Sequence, residues 1–111
     1  MKYRFIGRNT AMNKTYRAEG NTFKDLFYTL VDNEVMHWDA LDSYLADEYG
    51  VNNDDYDWEN EPQEAQEKWE KDYYSAIEKM QDFEWIDVMA RANGNAYYQE
   101  IYNNETNERI A

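Results

Sequence analysis

The chain has 111 residues, 42% of them hydrophobic and 17% aromatic, with no cysteine and a formal net charge of −13. Disordered chains are poor in aromatics, and a chain of this length can bury a modest core without staples, so one folded domain spanning residues 1–111 is expected. Disulfides, thiolate metal sites and cysteine nucleophiles are excluded, and so negative a field repels nucleic acid and membrane surfaces while drawing in cationic partners.

The opening KYRFIGR alternates Tyr3, Phe5 and Gly7 against Lys2, Arg4 and Ile6, which predicts a strand. NTAMN reads as a turn and KTYRAEG as a second strand closed by Gly20, which completes an N-terminal β-hairpin. Thr22, with Asp25 three residues on, predicts the cap of a first helix whose Phe23, Leu26, Phe27 and Leu30 fall on one face. Asp32 and Asn33 interrupt it. A second helix is expected to carry Val35, Trp38, Leu41, Leu45 and Tyr49 on one stripe and to stop at Gly50.

Residues 51–60 form an acidic connection. Asn60 is the expected cap of a third helix, with Pro62 in its first turn and Gln63 closing a capping box. Trp69, Tyr73, Ile77, Met80 and Phe83 mark its apolar stripe. Beyond it the period changes. Asn93-Gly94 between MARA and NAYYQEI signals a hairpin, and NNETN a second turn before a last strand at Glu108–Ile110. For residues 84–92, Trp85, Ile86, Val88 and Met89 suit either a helix or a strand. The expected class is α+β: an N-terminal hairpin, three helices and a C-terminal antiparallel meander, joined in one sheet with helices on one face.

The inventory for catalysis is thin, and no enzymatic activity is expected. His37 is the only histidine and sits beside Trp38, a setting for packing or surface exposure. Ser43 and Ser75 fall mid-helix without a neighbouring glycine, so neither forms a nucleophile elbow. The four glycines are scattered, which leaves no phosphate cradle and no cofactor motif. Carboxylates abound, but acid–base catalysis needs two in contrasting environments, whereas a solvated acidic face offers many alike.

The stretch NNDDYDWENE, Asn52–Glu61, has the acids of a calcium loop without its pattern. From Asp55, residues Asp57 and Glu59 match the next ligand positions, but Asn60 stands where glycine must make the sharp turn. From Asn53, Trp58 occupies that place. No dedicated metal site is expected, and a weak cation-binding module stays as a third alternative.

A binding surface of carboxylates is the leading reading. Acids three or four apart on a helix stand about 5–6 Å from one another. Successive phosphates on one nucleic-acid strand have an axial rise of about 3.4 Å. Asp39, Asp42 and Asp47 on the second helix lead into Asp54, Asp55, Asp57, Glu59 and Glu61 in the connection, then Glu64 at the start of the third helix. Tyr56 and Trp58 lie among them as candidate apolar anchors for arginine stems and guanidinium planes. The alternative for Trp58 is that it pins the connection to the core. For the acids, the alternative is a solvated face that serves solubility.

The segment DALDSYLADEYGVNNDDYDWENEPQEAQEKWEKD, residues 39–72, resembles in its charge pattern the DNA-mimic and anti-defence proteins of phages and mobile elements, which include anti-restriction and many anti-CRISPR proteins. The resemblance implies inhibition by occupying the basic nucleic-acid groove of a host defence protein, in the host cytoplasm. No direct nucleic-acid or membrane binding is expected, and the apolar runs fall well short of the roughly 18 residues of a membrane span. The basic first strand departs from a uniformly acidic mimic. The runner-up is a small structural or adaptor domain that meets its partner through a sheet surface at Tyr97, Tyr98 and Tyr102.

Overall fold

A computed structural model of the chain describes residues 1–92 and 97–111. The elements are β1 (Tyr3–Asn9), β2 (Lys14–Gly20), α1 (Phe23–Asp32), α2 (Asp39–Tyr49), α3 (Pro62–Lys79), α4 (Asp82–Arg91) and β3 (Tyr97–Asn103). The chain divides into two compact units: Met1–Ala40 with Asp82–Ala111, and Leu41–Gln81.

In the first unit the three strands form one antiparallel sheet in the order β2-β1-β3. The register pairs Phe5 with both Ala18 and Ile101, so these three share a face and are buried together. Gly7 lies on that face under the Phe5 ring. A Cβ there would come within 2.8 Å of the ring, which explains a glycine inside a strand. The hairpin turn is closed by Asn9, whose side-chain oxygen accepts the Met12 N–H at 3.1 Å.

Helix α1 begins as its sequence predicts, with the Thr22 hydroxyl accepting the Asp25 N–H at 3.0 Å. Phe23, Leu26, Phe27 and Leu30 are all buried, and the helix lies against β1 and β2. Its end differs from expectation in a way that moves the next helix. Glu34 adopts a left-handed φ of 61°; its N–H donates to Val31 O, and that of Val35 to Leu30 O. This is a Schellman closure with a non-glycine residue at its turning point. Val35 is thereby spent in the cap, and α2 starts at Asp39. Trp38 stays outside the α2 stripe, 43% exposed, with its ring set edge-on to Phe27 and Tyr28.

The expected C-terminal meander is corrected. Residues 82–91 are helix, because Trp85, Val88 and Met89 at i, i+3 and i+4 are the buried set. A strand would have put Asp87 on the same face as Trp85 and Met89. There are therefore four α-helices among the described residues, and Phe83 belongs to α4, where it is exposed, not to the α3 stripe. Strand β3 pairs with β1. The last segment returns alongside β3 through a single bridge, Tyr102 to Arg109, after a turn in which Asn103 Oδ1 accepts the N–H groups of Glu105 and Thr106. The expected Asn93-Gly94 turn lies outside the described residues.

The second unit holds most of α2, the connection and α3. Leu41, Tyr44 and Leu45 are buried on α2, and Ala65, Tyr73, Ala76 and Ile77 on α3. Gly50 takes φ 70° and ends α2, with the Val51 N–H donating to Leu45 O at 3.1 Å. The cap of α3 is one residue later than predicted. Proline disfavours helical backbone in the residue before it and fits the first helical position, so Glu61 takes a non-helical conformation (φ −134°, ψ 61°) and Pro62 opens the helix. Among the described residues no helix is long and apolar enough to cross a membrane.

Candidate functional site: the acidic unit Leu41–Gln81

Charge is unevenly divided. Leu41–Gln81 carries thirteen acids against Lys68, Lys71 and Lys79, a net −10, whereas the other unit carries eleven acids against eight bases, a net −3. Twelve of the thirteen acids are exposed, and Asp72 is half-buried. Every predicted partner-binding acid is exposed: Asp39, Asp42, Asp47, Asp54, Asp55, Asp57, Glu59, Glu61 and Glu64. Asp39 alone falls in the first unit.

The connection between α2 and α3 is braced. Asn52 caps a single 3-10 turn at Asn53–Asp55, its Oδ1 accepting the Asp54 N–H at 3.2 Å. Asp57 closes the next turn: its Oδ1 accepts the Asn60 N–H at 3.2 Å, and its backbone carbonyl accepts that of Glu61 at 3.1 Å. Asp57 is thus a structural residue as well as a surface charge.

Tyr56 and Trp58 are half-buried, and each side chain donates a hydrogen bond within the unit. The Trp58 indole N–H donates to Asn53 O at 2.9 Å. Its ring lies 6.1 Å from Tyr56 and 6.4 Å from Trp69, and Trp69 stacks 4.8 Å from Tyr73. The Tyr56 hydroxyl donates to Asp72 at 2.8 Å, and the Lys68 ammonium lies 5.8 Å over its ring. Burial, the bond to Asp72 and the charges of Asp72 and Asp55 push the Tyr56 pKa up to about 12. A ladder of rings therefore holds the acidic connection against α3.

Two clefts flank this connection, and sequence reasoning missed both. The first, about 200 Å³, is lined by Asp42, Ser43, Ala46, Asn52, Trp69 and Tyr73 among others. In it the Tyr73 hydroxyl donates to Asp42 Oδ1 at 2.8 Å. The second, about 190 Å³, includes Tyr56, Asp72, Ser75 and Lys79. Asp42 and Tyr73 are 31 positions apart, so no local pattern could have joined them. Among the described residues no group of three or more His, Asp or Glu side chains is arranged to hold a metal ion.

On the sheet face opposite Phe5, Arg4 stacks 4.6 Å over the Tyr102 ring and bonds to Asn104 Oδ1 at 2.9 Å. Tyr98 is 57% exposed on β3, opposite Arg8 in the register. Fold and surface together define an α+β protein with a small mixed-charge sheet unit and a strongly acidic helical unit. No protein-family model matches the chain, and no curated protein matches its sequence.

Proposed function

We propose that the chain is a non-enzymatic inhibitor whose Leu41–Gln81 unit presents carboxylates to a basic protein groove in place of nucleic-acid phosphates. The observation that carries this reading is the concentration of twelve exposed acids on 41 residues with three lysines. Their placement argues against solubility as the sole purpose. Asp47 and Glu48 occupy the last turn of α2, which has no base. Negative charge at a helix C-terminus opposes the macrodipole, an effect of about 0.3–1 kcal/mol per exposed group. Two lysines would serve solubility without that cost.

In keeping with the resemblance of residues 39–72, the partner is a nucleic-acid-binding protein of a host defence system, met in the cytoplasm. Capture on the immobilised full chain tests this. A nucleic-acid-binding protein is expected to bind at low salt and weaken as salt passes about 0.15 M, where the screening length is near 8 Å. Its own DNA or RNA should displace it. Binding of chain and nucleic acid to the partner at the same time would contradict the reading. The exposed Tyr98 beside Arg8 favours the adaptor alternative, which requires a partner lost on Tyr98→Ala and indifferent to nucleic acid.

A further inference from the structure

We propose that the cleft between α2 and α3 at Asp42 and Trp69 is a receptor for a single guanidinium group, an arginine side chain of the basic partner. The two clefts beside the connection are built alike, each with a carboxylate held by a tyrosine hydroxyl: Asp42 by Tyr73 in one, Asp72 by Tyr56 in the other. They differ in cation. Lys79 lines the second cleft, whereas the described lining of the first has a carboxylate and no base. A cation from outside would meet there a carboxylate whose cleft contributes no base of its own.

The lining suits guanidinium in particular. Tyr73 engages Asp42 Oδ1 and so fixes the carboxylate, while Asp42 remains exposed and an ionised carboxylate has about four acceptor sites. Ser43 and Asn52 add polar groups, and Trp69 supplies the ring type that best attracts a cation. A planar fork can both pair with a carboxylate and lie along a ring, which an ammonium does less well. At about 200 Å³ the cleft falls below the roughly 300–1,000 Å³ of ordinary small-molecule pockets and is sized for one side chain.

The inference rests on reading Leu41–Gln81 as the contact unit, and its test is independent of any partner. N-acetyl-arginine amide is titrated into the full chain and followed by amide and indole NMR, with the lysine and citrulline analogues as controls. Saturable shifts are expected at Ser43, Ala46, Asn52 and Trp69, weaker with lysine and absent with uncharged citrulline. Asp42→Asn keeps an acceptor for Tyr73 but removes the charge, and should weaken binding roughly ten-fold. Ala46→Met fills the cleft from the next turn of α2 while leaving the Asp42 charge in place, and should abolish binding. Neutralising Asp54, Asp55 and Glu59 together should weaken it less than Asp42→Asn does, since none of the three lines the cleft. Shifts that fail to saturate, match those of citrulline, or persist in both cleft variants would overturn the proposal. A nucleic-acid-competed partner could then still bind the acidic surface, so the two readings fail separately.

Discussion

Truncating Trp58 removes the brace between the acidic connection and α3, and the structure sets the size of the effect. Trp58→Ala loses ring contacts at 6.1 Å and 6.4 Å and an indole hydrogen bond of 2.9 Å to Asn53 O. Ring pairs contribute about 0.5–1.5 kcal/mol each, and a hydrogen bond about 0.5–1.5 kcal/mol net. Trp58 is half-buried and its hydrogen bond is exposed, which places each contribution toward the lower end and the total at about 2 kcal/mol. With a urea m-value of about 1–3 kcal/mol per M, the midpoint of unfolding should fall by about 1 M. Trp58→Phe keeps a six-membered ring but loses the fused pyrrole ring with its N–H, so its cost should fall below that of Trp58→Ala, at about 1 kcal/mol. A loss below about 0.5 kcal/mol for Trp58→Ala at unchanged m would show that the ring ladder does not hold the connection.

Ile77 is buried on α3, so Ile77→Ala should destabilise the protein by about 2–5 kcal/mol in the same assay; a negligible loss would mean that the helix phase is wrong. Glu48→Lys replaces an acid at the C-terminal end of α2 and should stabilise the free chain by about 0.5 kcal/mol while weakening a captured partner. A gain in stability with undiminished binding would favour the solubility account of the acids. For Tyr56, the folded pKa of about 12 lies above the ordinary 10.0, so the folded state holds the phenolic proton more tightly than the unfolded one. That stabilisation is fully present below pH 10 and is lost as pH rises toward 12. Tyr56→Phe should therefore show a shallower decline in stability over that window than the parent, and an identical decline would contradict the raised pKa of Tyr56.

Local chemistry was legible in the sequence and long-range closure was not. Thr22, Asp25 and the Phe23, Leu26, Phe27, Leu30 spacing define α1 because a cap and a 3.6-residue period act within a few positions. The C-terminal helix was ambiguous because Trp85, Ile86, Val88 and Met89 satisfy two periods, and burial of Val88 and Met89 selects one. Asn60 looked like a cap on residue type alone, but the constraint that Pro62 places on Glu61 decides the start of α3. The exposure of the acidic residues followed from their charge. The clefts did not follow from any local pattern, since Asp42–Tyr73 and Tyr56–Asp72 join residues 31 and 16 positions apart.

The central claim is that exposed carboxylates of Leu41–Gln81 steer this chain onto a basic partner. Its most direct test is the association rate of a triple charge reversal, Asp54→Lys, Asp55→Lys and Glu59→Lys, against a captured partner. Asp57 is left intact because it bonds the Asn60 N–H, so the fold of the connection is preserved. Association should slow by roughly ten-fold at low salt, and the difference should shrink as salt rises past about 0.15 M, with the melting temperature unchanged. An unaltered rate and affinity in the folded variant would contradict the claim.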